Sequence, residues 1–293
     1  MTALTRRTFL VSAAAAALAP ARAERLDWRG PAMGGEARIV LTGPRDRAEA
    51  ALAAVAAEIR RLESLVSLHR ADSQLSRLNR EGRLALPAGE LRRLLAAAED
   101  WRRRTEGAFD ARVQPLWTAR AAGREAGPVA RGAIGVSAAE ATLPPGTALT
   151  LNGIAQGTVA DRVAALLARH GFAAEAVDAG ELRLGAGQGL TIRHAGLRLA
   201  PGAAPAAATS APGALAFPGG GHHLFDPRTG RSPAHWRAVT VLAPTAEAAD
   251  ALSTAFAVSP PELLGDLVPA EVSAVATDPA GRVRIFGRPL RKA

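Results

Sequence analysis

Apolar positions recur along the chain in two rhythms, and the changes of rhythm mark its elements. Alternation in EARIVL at 36–41 predicts a strand. Asp46 with Glu49 three residues later has the form of a capping box. Leu52, Val55, Ile59, Leu62 and Val66 then follow at helical spacing. A second helix is marked by Leu91, Leu94, Leu95, Ala98 and Trp101, with its stop near Gly107. A third runs from Gln156 to His170, with Val159, Val163, Leu166 and Leu167 on one face and Gly171 as its stop. Short strand-like pieces lie between 175 and 200, and the Pro/Gly/Ala-rich stretch over 200–223 reads as a connection. AVTVLA at 238–243 is a strand, Thr245 caps a helix that Ser259, Pro260 and Pro261 end, and SAVATD and RVRIFG flank the hairpin turn DPAG. Strands and helices are mixed without regular alternation, so the pattern predicts an α+β fold rather than a doubly wound sheet. No internal repeat or shift of composition divides residues 24–293, which read as one domain.

The first 23 residues belong to a different pattern. Arg6 and Arg7 precede a short apolar run from Phe9 to Leu18, and Ala21, Arg22 and Ala23 form a small-x-small triplet. The paired arginines followed by Thr8 and Phe9 resemble a Tat-type export signal, cleaved after Ala23. The apolar run is about half of the roughly 20 residues that a bilayer span requires, and no Cys follows it for lipid attachment, so no stable membrane anchor is expected. The expected destination is the periplasm, as a folded, soluble protein.

Composition narrows the chemistry. The chain contains no Cys, which removes disulfides, thiolate metal sites and thiol catalysis together. Its net charge of +9 hints at nucleic acid, but Lys292 is the only lysine, and removal of Arg6, Arg7 and Arg22 with the signal lowers the balance to +6. The remaining arginines are scattered along the sequence and aromatics make up only 4%, too few for stacking platforms between them. No nucleic-acid partner is expected.

Several segments carry groups with chemical potential, each with a plainer structural reading beside it. On the helix after Thr245, Asp250 and Thr254 are four residues apart and project from one face, a hard oxygen pair suited to Mg²⁺ or an ordinary solvated face. In LNGIAQGTVADRV, glycines ahead of a helix leave amides free for an anion, and Gly153 can present its carbonyl; a tight strand-to-helix turn has the same signature. GHHLFDPRTG offers His222 or His223 as an acid or base, or as exposed turn residues. EGAFDARVQPLW puts Phe109 next to Asp110 after a helix. No nucleophile elbow and no zinc motif is present.

The order of these segments is more informative than any one of them. PAMGG at 31–35, LVSLHRADSQLSRLN at 65–79, TEGAFDARVQPLW at 105–117, LNGIAQGTVAD at 151–161, DAGELRLGAG at 178–187, ATSAPGA at 208–214, HHLFDPRTG at 222–230 and ADALSTAF at 249–256 resemble the successive motifs of the FAD:protein FMN transferases, the ApbE family. The resemblance implies a Mg²⁺-dependent enzyme that acts outside the cytoplasmic membrane. It would transfer FMN from FAD to a Thr or Ser hydroxyl of an acceptor flavoprotein, such as a subunit of a membrane redox complex, and release AMP. By motif, Asp250 and Thr254 would bind the metal through side chains and Gly153 through its carbonyl. Met33, His69, Ala108, Phe109, Asp110, Gln156 and Leu224 would line the FAD site, and His223 would transfer the proton with Asp250 at the catalytic centre.

The chain departs from the family pattern at His69, where an aromatic is usual, at Thr150, where an acid is usual, and at Gln156, where Lys or Glu is usual. Ala179 and Gly180 stand where the family pairs glycines. Two other readings accommodate these changes: an exported FAD-binding protein without turnover, and a pyrophosphatase that splits FAD into FMN and AMP with water as acceptor.

Overall fold

In the computed structural model the described residues are 23–125, 127–172, 176–178, 182–184, 192–195, 197–200 and 204–292. The expected export signal through Arg22, together with Ala179 and Gly180, lies outside them. The chain runs β1 (Ala23–Ala32), β2 (Gly35–Pro44), α1 (Arg45–Val66), α2 (Gln74–Glu81), β3 (Arg83–Ala85), α3 (Gly89–Arg104) and α4 (Gln114–Ala121). It continues through β4 (Gly135–Val136), β5 (Glu140–Thr142), α5 (Asn152–Arg169), β6 (Ala176–Asp178), β7 (Leu182–Leu184), β8 (Ile192–His194) and β9 (Leu197–Ala200). β10 (Ala206–Ser210), β11 (Ala238–Ala243), α6 (Ala246–Val258), α7 (Pro261–Leu267), β12 (Ser273–Thr277), β13 (Val283–Gly287) and β14 (Arg291–Lys292) complete it.

Eight strands form one antiparallel sheet in the order β1-β2-β6-β7-β10-β11-β12-β13. Helices α1, α5 and α6 pack on one face, as expected of an α+β fold. Alternation sorts the strand residues: Ala208, Val239, Val241, Ala274 and Ala276 join the main core with α6, while Ala207, Leu242 and Val275 form a second cluster on the other side. His194 closes that second side. Its Nδ1 bonds to Thr240 Oγ1 at 2.7 Å and its Nε2 to Thr277 Oγ1 at 2.8 Å.

Three expectations are corrected and one strand is added. The stretch over 200–223 contains β10, a central and buried strand whose Ala206 and Ala208 let α6 approach the sheet closely while Ala207 faces the other side. Small side chains made it look like a linker. The helix after β2 starts at Arg45 with Pro44 at its N-cap, so Asp46 lies inside the first turn and Glu49 bonds to Arg45 at 2.9 Å instead of completing a capping box. The helix expected from Gln156 begins at Asn152, which places Gly153 and Gly157 inside α5 rather than ahead of it. β1 was not anticipated, although Leu26, Trp28 and Ala32 alternate along it and pack toward α1: it is an edge strand, mostly exposed, paired with β2 along its whole length from Ala23↔Pro44 to Ala32↔Gly35.

Candidate active site on helices α5 and α6

The close approach of α5 and α6 begins with a glycine. A Cβ at Gly157 would stand 2.2 Å from the Ala246 carbonyl oxygen, so any side chain there would push the helices apart. The Gly157 N–H donates to Asp250 Oδ2 at 3.1 Å. In a regular helix the acceptor of that N–H is the carbonyl of residue 153, so Asp250 and the Gly153 carbonyl converge on one donor. Thr254 follows Asp250 by one turn. A Cβ at Gly153 would meet Phe109 Cε2 at 3.0 Å and Thr254 Oγ1 at 3.1 Å, which places all three groups in one nook. The fold therefore brings together the carboxylate, hydroxyl and carbonyl that the motifs assign to a metal.

Asp250 is 3% exposed and has no basic partner among the described residues. Burial pushes its carboxyl up to about 8; the Gly157 hydrogen bond works against that rise and the nearby Glu247 charge adds to it. A buried carboxyl without a countercharge is costly unless a cation accompanies it. Among the described residues no group of three or more His, Cys, Asp or Glu side chains assembles, so the nook does not suit zinc. One carboxylate, one hydroxyl and one carbonyl suit Mg²⁺, which binds few protein oxygens and takes water and phosphate for the rest.

A polar lattice holds the two helices in register, and its members carried no assigned role in the sequence. Asp161 on α5 accepts the N–H groups of Ala246 and Glu247, both at 3.0 Å, and so caps α6 from the side. Thr158 donates to Glu247 Oε2 at 2.7 Å and Arg93 of α3 reaches the same oxygen at 2.8 Å. Ser253 of α6 bonds to Ser210 of β10 at 2.9 Å. Asp161 and Ser210 sit inside the family motifs, which was the available signal; Arg93 and Glu247 had none. Thr150, where an acid is usual, serves the backbone locally, since its Oγ1 accepts the Asn152 N–H at 3.2 Å at the start of α5.

Five of the seven residues assigned to the flavin fall into two groups. Met33 and Gly34 form the tight turn between β1 and β2, both with positive φ, at 53° and 82°. A methionine rarely adopts that conformation, and here Glu63 of α1 holds it by accepting the Met33 N–H at 2.7 Å. His69 reaches the same turn, with its Nε2 3.4 Å from where a Gly34 Cβ would stand. Ala108, Phe109 and Leu224 form the other group, in the main core beside Ile154, and Met33 packs against that core. Gln156 is half-buried on α5, three residues beyond Gly153. Asp110 differs from the rest: its carboxylate is buried against Arg112, which donates from Nε at 2.8 Å and from Nη2 at 2.5 Å. That leaves its backbone, more than its side chain, for a ligand.

The paired histidines separate into a strut and a free base. His222 Nε2 donates to the Pro233 carbonyl at 2.9 Å, and its Nδ1 accepts the Leu224 N–H at 3.3 Å. His223 bonds through Nδ1 to the Leu215 carbonyl at 3.3 Å. A carbonyl only accepts, so Nδ1 carries the proton and Nε2 keeps its lone pair. Burial lowers the His223 pKa, the Leu215 bond opposes that shift, and the neighbouring His222 adds to it. Such an imidazole is neutral near pH 7 and able to accept a proton.

The sequence model of the ApbE family matches residues 33–275. No curated protein matches the chain. Among solved structures, the flavin transferase ApbE of Vibrio cholerae is similar at a TM-score of 0.74 and 21% identity, over 91% of this chain and 98% of that one. The apo form of the Pseudomonas stutzeri flavinyl transferase ApbE gives 0.74 and 23%, over 90% and 95%. The ApbE protein of Thermotoga maritima gives 0.73 and 23%, over 90% and 97%. These likenesses establish the fold. The family match runs from Met33 in the strained turn to Val275 in β12 and so takes in the whole α5–α6 nook, and the chain belongs to the ApbE family.

Proposed function

We propose that the protein is an exported, Mg²⁺-dependent transferase that moves FMN from FAD to a Thr or Ser hydroxyl of an acceptor flavoprotein and releases AMP. The observation that carries this reading is Asp250, buried without a countercharge and one turn before Thr254 at Gly153, in a chain of the ApbE family. Asp250, Thr254 and the Gly153 carbonyl would hold Mg²⁺, which when bound offsets negative charge on the pyrophosphate. Phe109 and the Met33–His69 turn would flank the flavin. The acceptor oxygen attacks the phosphorus on the FMN side, a new P–O bond forms, and the bond to the AMP oxygen breaks. His223 Nε2 takes the hydroxyl proton. The nucleophile comes from the partner, which accounts for the lack of one in this chain. The acceptor would be a periplasmic flavoprotein, with a subunit of a membrane redox complex as the proposed case.

The test is incubation of residues 24–293 with FAD, Mg²⁺ and a Thr-containing acceptor, followed by mass spectrometry and AMP release. The reading requires an acceptor mass gain equal to FMN and its loss in Asp250→Ala. Free FMN as the only product would replace it with the pyrophosphatase reading. Saturable FAD binding without turnover would replace it with the binding-protein reading.

A further inference from the structure

The arginines that look scattered in the sequence are not scattered in the fold. Two clefts open on either side of the paired segments 127–132 and 227–232. One, of about 600 Å³, is lined by Arg102, Arg131 and Arg228; the other, of about 670 Å³, by Arg120 and Arg231. Carboxylates offset part of this charge: Arg102 pairs with Glu99, Arg228 with Asp226, and Arg120 with Glu125 at 3.8 Å. Arg131 and Arg231 are exposed and have no carboxylate partner among the described residues, so each cleft carries one uncompensated cation.

These clefts are built, not incidental. The Val129 N–H donates to the Pro227 carbonyl at 3.0 Å, which ties the two segments together. Arg112, fixed by Asp110, donates to the Gly132 carbonyl and pins the far end of the first segment. The second cleft is walled by Gly219, Gly220 and Gly221, the tip of a hairpin whose Ala216↔His222 bridge leads straight to His223. Exposed Leu215 and Trp117 supply apolar contact area on the same hairpin and on α4.

We propose that this arginine-lined face docks the acceptor protein and selects one with acidic residues beside its target hydroxyl. The inference rests on the transferase reading and names the partner chemistry of that site. Charge complementarity is the argument: Arg231 stands in the cleft walled by the hairpin that carries His223, Arg131 stands in the cleft lined by Gly107 and Asp110, and an acidic segment laid across both would satisfy the two cations while bringing its hydroxyl toward that hairpin.

The experiment uses the mature chain with FAD and Mg²⁺, and fluorescence anisotropy of a labelled peptide with one Thr flanked by Glu, against its Gln-flanked and Arg-flanked counterparts. The Glu peptide should bind best. Arg131→Glu with Arg231→Glu should weaken it roughly tenfold or more and favour the Arg peptide. Arg60→Glu with Arg284→Glu, a remote change of equal charge, should leave binding unaltered. Equal loss in the remote variant, no preference for Glu over Gln, or displacement of the Glu peptide by a single-stranded oligonucleotide of equal charge would each overturn the proposal. In turnover the cleft variant should raise the acceptor KM and spare kcat and FAD affinity; a fall in kcat alone would overturn it. Covalent flavin on the bound peptide is scored separately, so a peptide that binds by these rules yet is never modified rejects the transferase reading and not the dock.

Discussion

The α5–α6 nook and the His223 hairpin differ in almost every physical respect. In the nook, backbone meets backbone at Gly157, Asp250 is fully enclosed, and Asp161, Thr158 and Glu247 fasten one helix to the other. The hairpin is held by a few backbone bonds and the His222 strut, has three consecutive glycines at its tip, and leaves Leu215 exposed. A phosphate and its metal need donors fixed in advance, and two packed helices supply that. An incoming protein hydroxyl needs access, and a short open hairpin supplies that instead. In the proposed transfer, the site would divide its labour between a rigid wall and an accessible one.

The strongest way to break this contrast is at its most buried group. Asp250→Asn should lower the transfer rate roughly a hundredfold or more, since of the three proposed metal ligands its carboxylate alone carries charge. The same change should raise the Tm of the metal-free protein, because a buried carboxyl without a countercharge is replaced by a neutral amide. Calorimetry and initial rates must move in opposite directions; a variant that loses both stability and activity would mean that Asp250 is a structural member.

Next in size is a pair of glycine substitutions. Gly157→Ala should destabilise by about 1–3 kcal/mol and abolish transfer, because its Cβ meets the Ala246 backbone. Gly219→Ala, with nothing within 4 Å of the added Cβ, should stay within about 0.5 kcal/mol of the parent in chemical denaturation. Equal effects would erase the distinction between the rigid and the open wall.

His223→Gln should lower kcat by about 10²-fold with FAD affinity retained in titration. His222→Gln should act on stability instead, through the lost bonds to Pro233 and Leu224. In the parent, the acidic limb of the pH–rate profile should fall below the usual imidazole range, since burial lowers the His223 pKa.

The smallest expected effect lies far from the site. Burial lowers the His194 pKa below its ordinary 6.5, so the unfolded chain binds that proton more readily than the folded one. Its contribution is present above pH 6.5 and lost as pH falls through the depressed folded value. Tm measured against pH should decline in that window, and His194→Asn should flatten the decline.

Local rhythm made the helices legible: the apolar positions read for α1, α3 and α5 are the buried ones, with Leu166 of α5 only partly so. It failed at β10, where a run of alanines resembles a linker until helix and sheet cover both of its faces, and at β1, an edge strand whose short alternation of Leu26, Trp28 and Ala32 is broken by Gly30. Among site residues, the Asp250–Thr254 pair was visible as a helical spacing, and motif order marked Gly153, Phe109 and His223. Arg93 and Glu247 were not readable, because their partners are far away in the chain.

By itself the sequence determined which residue types were on offer: hard oxygens, an imidazole pair, no thiol, and the periodicities that make the helices. Only the tertiary structure decided that Asp250 has no countercharge among the described residues, that His223 rather than His222 keeps a free nitrogen, and that Arg131 and Arg231 line two clefts bordered by the same pair of segments. Spacing specifies the neighbours along one helix, whereas desolvation and electrostatic pairing depend on everything the fold brings within reach.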